Sequence, residues 1–394
     1  MRHFCTYFDY NYLTRGLALY YSLVKHCRSP LTLWILCFDD ATYGVLLKMA
    51  LPSVRLISLT DFEKGDAQLQ QAKRTRDKIE YYWTCTPSLP LYVLRVCPSA
   101  NSITYLDADL YFYSDPQPIF DEFGEGSILI TEHRYSAEAI KWREGSGVYN
   151  VQFLIFSRDA EGLRCLHWWR DRCIEWCHAR FENGMYGDQK YLDDWPTRFK
   201  GVVVLQNKGA GLAPWNMIRY HVSVYALRIM VDDEPLIFHH FHALKLHHRL
   251  ACQPCVIYSY NSESLVLVYH PYLRALLTAR RRVDALKMNY SGKEEIVTVK
   301  GLVRGLLCEG WLLAYGASLA SWLWRRGQEN IRKEKLNEKL LDDGYCLFEA
   351  GKYVESCQVL GRVVCRDLYM LGRPGVIAML LKSVFRRRRK HTRN

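Results

Sequence analysis

The chain has 394 residues, with 53 Lys and Arg against 41 Asp and Glu for a net charge of +12; 49% of residues are hydrophobic and 24% are charged. Those proportions belong to a globular protein of two or three domains, long enough to bury its cores without disulfide staples. They exclude a disordered chain, a collagen-like rod and a polytopic membrane protein.

The first 240 residues alternate short apolar strands with amphipathic helices, which predicts an α/β sheet covered on both faces. Residues 2–7 read as the first strand, with no apolar leader before them. A helix follows, carrying Leu13, Leu17, Tyr20, Tyr21 and Val24 at one-face spacing. Residues 31–38 form a buried strand, and Asp39 and Asp40 stand where a helix N-cap is expected. Residues 68–79 are polar and basic and read as an exposed or mobile segment. Strands follow at 102–106, 127–131 and 148–156, then a helix over 158–181 turning Leu163, Leu166, Trp169, Ile174 and Cys177 to the sheet. The fourteen cysteines are scattered through apolar runs (Cys5, Cys37, Cys97, Cys165) rather than set in a framework, which points to reduced thiols and a cytoplasmic setting.

Beyond residue 250 the character changes. Residues 265–268 read as a short strand, 296–299 as another, and the rest as helical. The domains expected are therefore 1–250, a connecting segment 251–300, and a helical region 301–394. Residues 305–324 hold one acid, Glu309, and no base, with Trp311, Trp322 and Trp324. That stretch is long enough to cross a bilayer, but its glycines and Glu309 favour a buried or interfacial helix. Residues 341–364 are spaced as in a tetratricopeptide helix pair, one unit of which is no solenoid. Arg386, Arg387, Arg388, Arg389, Lys390 and Arg393 supply half of the net charge as a tail. Anionic lipid is the partner this tail fits; bases interleaved with aromatics are absent from the body of the chain, so no nucleic acid is expected.

Two constellations carry chemistry. Tyr105-Leu106-Asp107-Ala108-Asp109 ends a β-type run, so strand alternation puts both carboxylates on one face at the strand's C-terminal edge. Ligands of open α/β sheets bind at that edge. Two hard oxygen ligands there suit Mn²⁺ or Mg²⁺ and leave positions for diphosphate oxygens; a solvated acidic turn is the plainer alternative. Phe238-His239-His240-Phe241-His242 follows another strand and offers a neutral imidazole to the same metal, or else a set of core histidines. His247, His248, Cys252 and Cys255 are an irregularly spaced zinc alternative. Glu132, His133 and Arg134 are candidates for acceptor binding, and Trp215-Asn216 follows a glycine-rich turn, Gly209-Ala210-Gly211.

Taken in order, these motifs resemble the glycogenin-like and lipopolysaccharide-type glycosyltransferases of the GT-A fold, family 8, over residues 4–245. Phe4-Cys5-Thr6-Tyr7-Phe8-Asp9, running through Tyr12 to Leu23, looks like the family's first strand, nucleotide loop and helix. It implies that Thr6, Tyr7 and Asp9 line a uridine pocket and that Tyr12 stacks on the base. Asp107 and Asp109 match the metal-binding Asp-x-Asp, and His240 the third ligand, with His242 as runner-up. Tyr149-Asn150-Val151-Gln152-Phe153 is similar to a Phe-Asn-x-Gly strand whose Asn faces the donor sugar, with Gln152 in the place of the glycine. Gly187-Asp188-Gln189 matches a helix start at which Asp188 holds sugar hydroxyls and Gln189 lies beside the anomeric carbon. Lys245 stands one position early for the family's phosphate-clamping lysine, and no Lys-Pro-Trp follows it. The family's basic residue in the helix before the metal motif is also missing, so Arg74, Arg76 or Lys78 is expected to substitute.

The resemblance implies a retaining, metal-dependent hexosyltransferase with a UDP-sugar donor and a saccharide or lipid-linked saccharide acceptor. Its setting would be polysaccharide biosynthesis at the inner membrane face, with peripheral attachment through the tail. With Gln189 at the anomeric position, front-face substitution is expected over double displacement. Two alternatives stay open: a noncatalytic nucleotide-sugar-binding scaffold, and a nucleotidyltransferase, although no glycine-rich basic loop follows the first strand.

Overall fold

The computed structural model describes residues 1–247, 251–286 and 312–313. Met1–Leu244 with Pro254–Glu294 forms one compact unit, and Lys245–Gln253 belongs to a second. In the first unit, strands β1 (Arg2–Phe8), β2 (Leu31–Cys37), β3 (Val54–Ser58) and β4 (Ser102–Leu106) run parallel in the order β3-β2-β1-β4. After the short β5 (Leu110–Phe112), β6 (Ile128–Glu132) and β7 (Tyr149–Ser157) extend the sheet, β7 lying antiparallel to both β4 and β6. β8 (Val202–Val204) closes that edge parallel to β6, giving seven strands ordered β3-β2-β1-β4-β7-β6-β8. This is the mixed α/β sheet, with helices on both faces, that the sequence predicts.

The continuous apolar runs are explained by burial on both faces, since alternate side chains enter different cores. Phe4 packs on one side with Leu17, Leu33 and Ile35, while its neighbour Cys5 faces Leu36, Tyr105, Leu154 and Trp169 on the other. Helix ends are fixed where the sequence says. Asp39 accepts from the Thr42 amide at 2.7 Å and caps the helix Asp40–Met49. Gly16, in the helix Leu13–His26, lies against the Phe8 ring, 2.2 Å from where a Cβ would stand, so this helix approaches β1 only through a glycine.

Three helical boundaries differ from expectation. Residues 265–268 are not a strand; they lie inside the helix Ser262–Ala285, capped by Asn261, which accepts from the Glu263 amide at 2.9 Å. This helix packs on Leu13–His26, which accounts for Tyr21, under the Arg282 guanidinium at 4.0 Å, while Val24 stays exposed. Residues 68–79 are exposed at most positions, as expected, but they are helical: they form most of the helix Ala67–Thr75 and the first turn of Lys78–Val96, and Arg170 makes a two-pronged ion pair with Asp66 at 2.8 Å. The helix begun near residue 158 spans Ala160–Glu175 and buries Leu166 and Trp169, with Leu163 and Ile174 half-buried.

A second, three-stranded sheet sets up the site. β9 (Ala210–Leu212) pairs with β13 (Phe238–His240), which pairs antiparallel with β5; β10 (Val222–Tyr225), β11 (Arg228–Val231) and β12 (Glu234–Pro235) form a separate ribbon between them in sequence. In the other unit Lys245–His247 and Ala251–Gln253 form an antiparallel pair joined by Leu312–Leu313. Residues 296–299, 305–311, 314–324, 341–364 and the basic tail lie outside the described residues. Among the described residues no helix is long and apolar enough to cross a membrane.

Candidate active site

Asp107, Ala108 and Asp109 are the link between β4 of the large sheet and β5 of the small one. The β5–β13 register sets His240 opposite Leu110, and the Phe241 amide donates to the Asp109 carbonyl at 3.0 Å. Sequence-distant residues are thus brought to one point by strand pairing. His240 Nε2 lies 3.1 Å from Asp109 Oδ1 and 3.7 Å from Asp107 Oδ2. One ligand atom from each of the three falls within 4.8 Å of the others, and His242 is not part of that set. His242 instead has its ring 5.7 Å from that of His240, with the Trp215 ring 5.3 Å from His240 and 5.6 Å from His242.

Burial pushes the Asp107 carboxyl up to about 6, against the pull of His240. Burial acts the same way on Asp109, but His240 outweighs it and holds that carboxyl down at about 2. Burial disfavours the His240 cation, and the two carboxylates overcome this and raise its pKa. Two hard oxygens and an imidazole converging on one point form a set that fits a divalent cation.

Asp188 lies beside this cluster. Gly187 turns the chain at φ +53, against the Trp83 ring, and the Asp188 carbonyl is fixed by the Trp169 indole N–H at 2.8 Å. The residue is 4% exposed, and Oδ2 has no hydrogen-bond partner among the described residues. Burial pushes this carboxyl up to about 7; a Thr86 hydrogen bond opposes the shift and the Asp107 charge adds to it. Gln189 is oriented from both ends: its Oε1 accepts from Asn150 Nδ2 at 2.7 Å and its Nε2 donates to the Ser146 carbonyl. Asn150 Nδ2 also reaches His133 Nε2 at 3.1 Å, and its Oδ1 accepts from the Gln152 amide. Both Asn150 amide hydrogens are therefore directed at protein partners, and the imidazole, with Nδ1 at the Val148 carbonyl, takes the Nδ1–H tautomer in this network. Burial pushes the His133 pKa down to about 3.

At the end of β1, Thr6 is fully buried with its hydroxyl unpartnered, and the Tyr7 hydroxyl meets Thr86 Oγ1 at 2.9 Å. Asp9 caps the turn Tyr10–Tyr12 and pairs with Lys78 at 2.7 Å. Arg76 donates at 2.6 Å each to Thr84 Oγ1 and to the carbonyls of Cys173 and Ile174. Its guanidinium thus joins two helices, while Lys78 pairs with Asp9 and Arg74 is exposed. Glu132 is half-buried, and Arg134 donates to the Asn207 and Ala210 carbonyls. Lys245 begins the strand pair of the other unit. His248 of the zinc alternative lies outside the described residues. Sequence reasoning missed Thr86, which has no motif, and Arg15, a buried base in a helix's first turn.

The large sheet thus has a parallel β3-β2-β1-β4 half and a second half in which β7 runs antiparallel to β4 and β6, with the Asp-x-Asp at the end of β4. No protein-family model matches the chain. It is 32% identical over 288 residues to the uncharacterized protein YfnD of Bacillus subtilis (strain 168), covering 72% of this chain and 91% of that one. It is 33% identical over 250 residues to YfnF of the same organism, covering 62% and 82%. The chain belongs to the family of these two proteins. Among solved structures it is similar to the galactosyltransferase LgtC in complex with donor and acceptor sugar analogs, at 14% identity over 61% of this chain and 87% of that one, TM-score 0.42. It is also similar to mouse xyloside xylosyltransferase 1, at 14% identity over 61% and 98%, TM-score 0.38.

Proposed function

We propose that this protein is a metal-dependent glycosyltransferase that moves a hexose from a UDP-sugar to a saccharide or lipid-linked saccharide acceptor with retention of configuration. The observation that carries this reading is the convergence of Asp107, Asp109 and His240 beside the unpartnered carboxylate oxygen of Asp188. Asp107, Asp109 and His240 are the residues to hold Mn²⁺ or Mg²⁺, which when bound supplies positive charge to a departing diphosphate. Thr6, Tyr7, Asp9 and Tyr12 form the wall for the uridine. Asp188 Oδ2 accepts from sugar hydroxyls, a charge-assisted contact that orients the ring. Asn150 acts through Gln189, whose amide it fixes at the reacting face. With an amide at that face rather than a second carboxylate, the acceptor attacks from the side the leaving group departs. Peripheral attachment to anionic lipid through the basic tail completes the reading.

The test is turnover without a known acceptor. The full chain with Mn²⁺ is incubated with a panel of UDP-sugars, and UDP release and the anomer of the sugar first released to water are followed by NMR. Release of UDP from one hexose donor with the donor's anomeric configuration, abolished in Asp107→Asn, is expected. An inverted first product, or release indifferent to Asp107→Asn, contradicts the reading.

A further inference from the structure

Arg15 lies in the first turn of the helix Leu13–His26 and is 4% exposed. A cation there opposes the helix dipole, whose N-terminal end is itself positive. The guanidinium is stacked over the Tyr12 ring at 4.5 Å, and NH2 donates to the Leu244 carbonyl, four residues after His240, at 3.0 Å. Among the described residues NH1 is buried with no hydrogen-bond partner and no carboxylate is ion-paired with the group. Its charge nevertheless acts on Asp109, and Tyr12 lies in the field of both Asp107 and Asp109. Burying an unpaired charge is costly, and here the cost comes on top of an unfavourable dipole. An anion against NH1 would offset both costs.

We propose that Arg15 is an anion-binding residue of this site, its free NH1 taking a phosphate oxygen of a nucleoside diphosphate while its plane stays stacked on Tyr12. The assignment deepens the donor reading above. A planar guanidinium held on an aromatic ring and a carbonyl presents its remaining N–H groups in a fixed direction, which suits a phosphate more than a flexible ammonium would. It also sets a positive charge near Asp109, which favours an anionic ligand there once a cation is bound.

The experiment titrates the full chain by calorimetry with Mn²⁺ alone, with pyrophosphate plus Mn²⁺, and with UDP plus Mn²⁺, in wild type, Arg15→Gln and Arg15→Lys. Loss of a charged hydrogen bond predicts affinities for pyrophosphate and UDP weaker by about ten- to a hundredfold in Arg15→Gln. Mn²⁺ alone binds at least as tightly, because a repelling charge is gone. A packing residue does not produce these opposed signs, so parallel loss of Mn²⁺ and anion binding overturns the proposal, as does unchanged anion binding. Where Arg15→Gln does not fold, Arg15→Lys decides: weakened pyrophosphate binding with Mn²⁺ binding kept supports the assignment, and wild-type affinity for both overturns it. Pyrophosphate binding that depends on Arg15, with no UDP binding at all, upholds Arg15 and removes the nucleotide donor. UDP binding that depends on Asp107 and not on Arg15 does the reverse.

Discussion

Replacing Asp188 by Asn makes stability respond to pH in a direction the structure dictates. In the fold this carboxyl is pushed up to about 7, against an ordinary value of 3.8, chiefly by burial. An acid whose pKa is raised on folding binds more protons folded than unfolded, so stability is highest below pH 4 and falls as pH rises towards 7. About three pKa units at 1.36 kcal/mol each give a penalty of about 4 kcal/mol at pH 8, absent at pH 4. Asn carries no charge and accepts the same Thr86 hydrogen bond, so the penalty disappears. Urea unfolding in EDTA from pH 4 to 8 is expected to show Asp188→Asn gaining on wild type with rising pH, by up to about 4 kcal/mol. Added Mn²⁺ narrows the gap, because a nearby cation stabilises the ionised carboxylate. A difference between the two proteins that does not change with pH refutes the argument.

Two further outcomes separate structural from ligand-binding roles. Arg76→Met removes the bonds to Thr84, Cys173 and Ile174 and is expected to cost about 1.5–3 kcal/mol in chemical unfolding while leaving UDP affinity with Mn²⁺ unchanged. Gly187→Ala forces a side chain into a left-handed conformation against Trp83, costing about 1–2 kcal/mol. It also shifts Asp188 and Gln189, so UDP-sugar turnover is expected to fall by more than the affinity for UDP, measured by steady-state rates and calorimetry.

Much of the first 245 residues was legible because its signals are local. The apolar run of β1, the Asp39 cap and the Asp-x-Asp after β4 need only strand alternation and capping chemistry. The histidine cluster stood out by composition, but it reads as following a strand at 235–237 whereas β13 spans Phe238–His240 itself, and the meeting of His240 with Asp109 depends on the β5–β13 register. The residues around 265 were misread because a short apolar run fits a buried strand and a helix segment equally well, and Pro271 concealed the helix's length. The helix Ala67–Thr75 was hidden because only Leu69 and Ala72 are buried in it, a stripe too narrow to stand out among polar residues. Arg76 and Arg15 could not be told apart in sequence. What separates them is three-dimensional: one guanidinium is surrounded by acceptors, and the other is buried with a nitrogen left over.

The central claim is a metal-dependent nucleoside diphosphate site on Asp107, Asp109 and His240, and thermal unfolding with UDP, with and without Mn²⁺, tests it before any acceptor is known. At about a hundred times the dissociation constant, UDP adds about 2.7 kcal/mol to stability. A rise in melting temperature that requires Mn²⁺ in the wild type and vanishes in the Asp107→Ala/Asp109→Ala double variant is the result predicted. No rise with UDP, or a rise indifferent to Mn²⁺ and to both substitutions, contradicts the claim.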